Sequence, residues 1–314
     1  MVDEIDFIYA ADENYNKQLA VSINSLLSKL SANANIHIIH KDVKSFNNYL
    51  DLFDNHKNLQ NLNFYQFKKS NHIFPNLENS HISEATYYRL FIDKYIDKSI
   101  RNYLYLDSDI VCLNDPYEEI MKICNMLSDN DQPIAARTEL LKNQNIQKFQ
   151  SLGLNGSKYF NAGVMFVNHE YWLNKNVYGD LLNSIEKIKE KLEFWDQDVL
   201  NFFFDGDYIE LNDNLNYNLD LSSEEKNIEE IEKAFFIHYQ GSNKPWSIYG
   251  AQNIKSKFYN NEYEQLFKNN YHIVSKYSRG DFIYLLKTIF SLKILSYQSP
   301  INFLKQSIQS IFKK

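Results

Sequence analysis

The sequence predicts an α/β fold on a mostly parallel sheet, and three observations carry that prediction. Strand-like and helix-like patterns alternate from the first residues onward. Acidic residues stand where the apolar runs stop, at Asp12, Asp107 and Asp109, and in such sheets ligands sit beyond the carboxyl ends of the strands. The chain has 314 residues, is 44% apolar and holds only 8 Gly and 5 Pro. That suits one large domain, or one domain with a small appendage, rather than a linker-rich or disordered chain.

The elements follow in order. "IDFIYAA" (5–11) reads as a first strand. Leu19, Ile23, Leu26, Leu27 and Leu30 recur at helical spacing, which predicts a helix over 16–30. "NIHIIH" (35–40) is a second strand, and Ser45 is placed to cap a helix carrying Phe46, Leu50 and Phe53. "LNFYQF" (62–67) is a third strand, and Ser83 caps a helix "SEATYYRLFIDKYI". "RNYLYLDSDIVCLNDP" (101–116) is the next strand: Tyr103 to Leu106 look buried, an acidic pair follows, and Ile110 and Val111 resume the apolar pattern. The second half is less regular. "YFNAGVMFVN" (159–168) is a strand, "DLLNSIEKIKEKL" an amphipathic helix, and "DQDVLNFFF" a helix with acids in its first turn, as the dipole favours. "AFFIHYQGSNKPW" is a strand running into a loop.

Composition excludes some functions. A net charge of −7 argues against a general nucleic-acid binder. Two cysteines, Cys112 and Cys124, make neither a disulfide framework nor a metal cage. Cys112, in an apolar run, reads as a core thiol in a reducing compartment. "MVDEIDF" lacks the basic start and apolar stretch of a signal peptide, and no 18-residue uncharged apolar run occurs. The expectation is a cytoplasmic protein.

Three short segments carry chemistry. Asp107 and Asp109 repel each other at the end of a buried strand and call for positive charge. They read either as a cap or solvated turn, or as hard oxygen ligands for Mg²⁺ or Mn²⁺ that leave positions open for a substrate phosphate. "HYQGSNKPW" (238–246) offers either a buried imidazole and a surface Lys, or a third metal ligand and a phosphate-binding cation. An imidazole beside two carboxylates tilts the metal towards Mn²⁺. In "WDQDVLN" (195–201), Asp196 and Asp198 serve equally as first-turn acids, and Trp195 reads as packing.

Six motifs, "YAADENY", "HISEATYYRL", "YLYLDSDIV", "YFNAGVMFVN", "WDQDVLN" and "HYQGSNKPW", stand in an order and at separations over residues 5–250 that closely resemble glycosyltransferase family 8. The likeness is to its bacterial lipooligosaccharide α-galactosyltransferases and related glucosyltransferases. The resemblance implies a GT-A fold with a Rossmann-like nucleotide-binding sheet, a UDP-hexose donor (galactose or glucose), a glycan acceptor and retention of anomeric configuration. It implies Asp107, Asp109 and His238 as Mn²⁺ ligands, with Mg²⁺ as an alternative. Asp12 and Asn14, with Ala10, Ala11 and Tyr15 beside them, are implied to hold uridine. Gly241 and Lys244 would bind the diphosphate. Arg89, Asn161, Ala162, Asp196 and Gln197 would surround the donor sugar, with Ser108 between the metal ligands. Gln197 and Asp196 are the catalytic candidates: Gln197 as a carbonyl dipole in front-side attack, either one as nucleophile in the covalent alternative. Where close relatives have Asp, this chain has Glu139, left outside the core site. Two other readings stand beside this one, a self-glucosylating enzyme of the glycogenin kind and a non-catalytic carbohydrate- or nucleotide-binding protein.

From about Lys276 the composition changes. Lys276, Arg279, Lys287, Lys293, Lys305, Lys313 and Lys314 face only Asp281, a net +6, among Phe282, Ile283, Leu285, Leu286, Ile289, Phe290, Leu292, Ile294 and Leu295. Such a segment either packs on the catalytic domain or lies on an anionic surface. The expected division is a catalytic domain over 1–275 and a small helical, basic appendage over 276–314, held at the inner leaflet of the cell membrane.

Overall fold

The computed structural model describes residues 4–54, 56–68, 74–75, 83–223, 227–274 and 279–312. In the first half, β1 (Glu4–Ala11), α1 (Asn16–Lys29), β2 (Asn33–His40), β3 (Leu59–Gln66) and β4 (Asn102–Leu106) follow one another. Next come β5 (Ile110–Cys112), α2 (Tyr117–Asp129), β6 (Ile134–Leu141), α3 (Ile146–Leu152) and β7 (Lys158–Asn168). Then α4 (His169–Lys175), α5 (Val177–Ile188), α6 (Trp195–Phe204), β8 (Ile209–Glu210) and β9 (Tyr217–Asn218). The chain continues through α7 (Ile228–Ile231), β10 (Phe236–His238), α8 (Lys257–Phe267), α9 (Arg279–Phe290) and α10 (Pro300–Phe312).

Seven strands form one sheet in the order β3-β2-β1-β4-β7-β6-β8. β3, β2, β1 and β4 run parallel, β7 is antiparallel to both β4 and β6, and β8 is parallel to β6. β1, β2 and β4 are largely buried on both faces, as inner parallel strands are, whereas β3 at the sheet edge is only half-buried. The two-residue period still sorts them: Tyr103 and Tyr105 join the core under α4–α6, whereas Leu104 and Leu106 join the core under α1 and α2.

Three expectations change. Ile110 and Val111 do not continue the strand that ends at Leu106; they form β5 in a second sheet, ordered β5-β10-β9. The break falls at Asp107–Asp109, so the acidic pair is the hinge between two sheets. Ser45 does not cap the segment after β2. That segment is a 3₁₀ helix, Val43–Leu52, and its N-cap is Asp42; the Ser45 hydroxyl instead donates to the Asp42 carbonyl at 2.6 Å. The segment capped by Ser83 is also 3₁₀, Glu84–Lys94, with the Ser83 side chain accepting from Ala85 N–H at 3.0 Å. His81 and Ile82 of the "HISEATYYRL" motif lie outside the described residues, as does the boundary expected at 275/276.

The end of the chain has a small core of its own. Leu285, Ile294 and Phe303 are buried with Ile248, Ala251, Tyr271 and Ile273. The remaining apolar residues of this segment are largely exposed, among them Phe290, Ile301 and Phe312. Among the described residues no helix is long and apolar enough to cross a membrane.

Candidate active site

The carboxyl ends of β1 and β4 open into a cleft of about 120 Å³. Ala10, Ala11, Asp12 and Tyr15 line it from the first loop, Arg89 from the 3₁₀ helix, and Asp107, Ser108 and Asp109 from the hinge. Asp12 is held by its own turn, its carboxylate accepting from Asn14 N–H at 2.9 Å. Asn14 itself is exposed. Tyr15 sits edge-on to Trp246, with ring centroids 6.2 Å apart.

Each carboxylate of the acidic pair has its own cation. Asp107 Oδ1 is paired with Arg89 Nη2 at 2.8 Å and accepts from the Tyr105 hydroxyl at 2.8 Å. Asp109 Oδ2 accepts from Lys244 Nζ at 2.7 Å, and its Oδ1 lies 3.3 Å from His238 Nε2. Burial pushes the Asp109 carboxyl up, but the Lys244 charge, with the His238 ring beside it, prevails and holds it well below the usual carboxylate range. Lys244 thus occupies the acidic pair in this structure rather than standing free. Gly241, at φ 78°, turns the loop between His238 and Lys244 in a conformation that side chains disfavour.

Asp107, Asp109 and His238 offer ligand atoms that all lie within 4.8 Å of one another. Two carboxylates and an imidazole are a fitting donor set for Mn²⁺ or Mg²⁺. Asp109 Oδ1 is buried with no hydrogen-bond donor, a costly arrangement that a bound cation would relieve. The space is kept by Gly163 on β7. A Cβ there would stand 2.3 Å from His238 Cε1 and 3.0 Å from Asp107 Oδ2, so a side chain would push apart the ligand set. Gly163 escaped the sequence reading, although a glycine inside a strand pattern is a recognised sign of close approach.

Beside this cluster is a second network. Buried Arg89 also pairs through Nε with Asp196 Oδ2 at 2.7 Å, and its Nη1 donates to the Ala162 carbonyl. The other Asp196 oxygen accepts from the Thr86 hydroxyl. Burial raises the Asp196 carboxyl from its ordinary 3.8 to about 6, with the Asp107 charge adding to it against Arg89 and Thr86. Trp195, which precedes it, packs on the core as expected and adopts φ 46°, turning the start of α6 towards β7. Gln197 Oε1 accepts from Ala162 N–H at 3.0 Å, while its Nε2 donates to Glu139 Oε2 at 3.0 Å. Asn161 Nδ2 reaches the same Glu139 oxygen at 3.3 Å. Glu139 therefore belongs to the site it was left out of: its carboxylate holds the amides of Gln197 and Asn161. Asp198 does not join the site; it is fully buried, paired with Lys148 at 2.9 Å and bonded by the Tyr159 hydroxyl at 2.6 Å.

Comparison with known proteins identifies the family and the fold. A family model described as Glycosyl transferase family 8 matches residues 6–249. A putative glycosyltransferase of Haemophilus influenzae is 28% identical over 248 residues, covering 77% of this chain and 73% of that one. A lipopolysaccharide 1,2-glucosyltransferase of Escherichia coli is 30% identical over 250 residues, covering 76% and 72%. Among solved structures, the galactosyltransferase LgtC in complex with donor and acceptor sugar analogues aligns with a TM-score of 0.66 at 22% identity. It covers 88% of this chain and 100% of that one, and shares the GT-A fold.

Proposed function

The chain belongs to glycosyltransferase family 8, and on that premise we propose that it moves galactose or glucose from a UDP-sugar to a glycan acceptor. The transfer depends on Mn²⁺ and retains anomeric configuration. The observation that carries this reading is the Asp107–Asp109–His238 group beside Lys244 at the end of the parallel strands. A divalent cation held by those three side chains supplies positive charge for a departing diphosphate. The chain's own residues do the rest. Lys244, once drawn from Asp109, is a second cation for the diphosphate oxygens. Departure of UDP needs no acid, unlike glycoside hydrolysis with its two carboxyl groups.

The sugar becomes positive at C1 as the bond breaks, and Gln197 is the neutral dipole we assign to face it. Its carbonyl oxygen accepts from Ala162 N–H at 3.0 Å and, at the longer 3.4 Å, from Asn161 Nδ2, which holds it in place as a dipole rather than a nucleophile. Asp196 is a poor nucleophile here, since Arg89 and Thr86 hold its two oxygens. Both facts favour front-side attack, in which the acceptor hydroxyl enters beside the departing phosphate. The Escherichia coli relative's lipopolysaccharide substrate supports a surface glycan as acceptor.

The same proposal places the enzyme in the cytoplasm at the inner leaflet, with residues 279–312 lying on anionic lipid. The exposed Phe290, Leu292, Leu295, Ile301 and Phe312 beside Lys287, Lys293 and Lys305 support it. The test of the reaction is a panel of UDP-sugars with Mn²⁺ or EDTA, with the product anomer read by NMR. Transfer from UDP-galactose or UDP-glucose with an α-linked product supports the reading. Undiminished transfer in EDTA removes the metal, and inverted product removes retention.

A further inference from the structure

We infer that Asn216 is the positioning residue that holds His238 as the Nδ1–H tautomer and so presents Nε2 to the divalent cation. The inference rests on the metal reading above and adds to it a residue outside the ligand set. Asn216 has no exposed surface. It follows a 3₁₀ turn, Asp213–Leu215, and leads into β9, which runs parallel to the β10 strand that carries His238. Its Oδ1 lies 3.2 Å from His238 Nδ1.

The orientation of its amide is not free, because a backbone group fixes it at one remove. Gly163 N–H can only donate, and it donates to Asn161 Oδ1 at 3.0 Å. The same oxygen accepts from Asn216 Nδ2 at 2.9 Å. With Nδ2 committed to Asn161, the end of Asn216 that faces the imidazole is its carbonyl oxygen. An oxygen at that place accepts, so Nδ1 carries the proton and Nε2 is left with its lone pair towards Asp109. Gln240 also approaches Nδ1, at 3.5 Å. Among the described residues no second hydrogen bond fixes the Gln240 amide, so at this long distance it follows the ring and does not set it. The sequence of commitments runs from one β7 peptide through two amides to a metal ligand, the kind of outer partner that fixes the tautomer and direction of ligating histidines.

Two substitutions and one spectrum test this. Asn216→Leu keeps the branched shape and removes the acceptor; Asn216→Asp keeps an acceptor at the same place. Titrating Mn²⁺ into nucleotide-free protein, we expect Asn216→Leu to bind about 10- to 100-fold more weakly and Asn216→Asp to keep most of the wild-type affinity. In wild-type protein loaded with Mg²⁺, the ¹⁵N signals of His238 should show a protonated Nδ1 and a ligated Nε2, which needs no variant to fold. Wild-type affinity in Asn216→Leu, or a proton on Nε2 in that spectrum, overturns the inference. Failure of wild-type protein to bind Mn²⁺ at all removes the metal reading as well, and so is told apart from an indifferent variant in a binding wild type.

Discussion

The cleft and the last 34 described residues invert the usual order of a soluble protein in opposite ways. In the cleft, polar and charged groups are buried: His238 is 5% exposed, Arg89 6% and Asp196 2%. In residues 279–312, apolar surface is exposed: Phe290 and Ile301 are both 82% exposed and Phe312 79%. The cleft resolves its inversion internally, by pairing Asp107 and Asp196 with Arg89 and Asp109 with Lys244. The terminal segment resolves only part of its own, by burying Leu285, Ile294 and Phe303. Buried charges stay costly even when paired, and they answer to a charged ligand. A contiguous exposed apolar face answers to a surface outside the molecule.

Four experiments break or sharpen that contrast. The largest effect is expected from Asp109→Asn, which removes one metal ligand and the partner of Lys244. Turnover should fall by about 10³-fold, the several kcal/mol that a metal ion supplies. UDP affinity should lose its dependence on Mn²⁺, with circular dichroism unchanged. Near-wild-type turnover would show that the acidic pair is structural. Next is deletion of residues 279–312. Each basic residue near an anionic surface contributes about 1 kcal/mol, and Arg279, Lys287, Lys293 and Lys305 lie in this stretch. Binding to anionic vesicles should drop by about 10²- to 10³-fold, whereas transfer to small soluble acceptors persists. The full-length binding should weaken with salt; indifference of full-length protein to such vesicles at low salt would return the segment to a packing role.

The third concerns Asp196, whose carboxyl is raised from 3.8 to about 6 by burial first and Asp107 second. Between those values the folded chain holds a proton that the unfolded chain has released. The stability this group contributes therefore falls as pH rises from about 4 to about 6. Asp196→Asn should gain on the wild type across that window by up to about 3 kcal/mol, measured by urea unfolding at several pH values. A constant difference would mean that Arg89 keeps the carboxylate charged throughout. The smallest effect is expected from Gln197→Ala, with turnover down about 10²-fold, the scale of one preorganised dipole. Donor affinity should scarcely change, because the dipole matters most when C1 is positive. Loss of affinity with unchanged turnover would make Gln197 a binding residue only.

What could be read in the sequence was what is local. The strands at 5–11 and 159–168 and the Ser83 cap each sit in a short pattern with a local cause, whereas Asp107, Asp109 and His238 lie in two distant motifs that only the family resemblance joined before the fold brought them within 4.8 Å. The 3₁₀ segment after β2 was mistaken because Ser45 and Asp42 are equally good caps on paper, and only the fold shows which carbonyl Ser45 meets. The division at Asp107–Asp109 into two sheets was hidden because β5 pairs with β10, more than 120 residues later. Asn216 was hidden more completely. It is one of four asparagines between 212 and 218, and its neighbours in sequence say nothing about His238. Glu139 was seen and set aside, because its value lies in two amides, Gln197 and Asn161, that only the sheet brings to it.

The loop from Lys244 to Ala251 joins the two regions compared above. Ser247 N–H donates to the Lys244 carbonyl at 2.9 Å, Gly250 N–H to the Ser247 hydroxyl at 2.8 Å, and a Cβ on Gly250 would strike the Lys244 carbonyl. Ile248, four residues after Lys244, is already in the terminal core. Four residues span at most about 14 Å even when extended, and this turn is far from extended. A chain resting on residues 279–312 would therefore hold its cleft at a fixed altitude above the lipid, with little play. Altitude then becomes a measuring device: acceptors whose sugars end too near the headgroups, or too far beyond them, would miss the cleft whatever their chemistry.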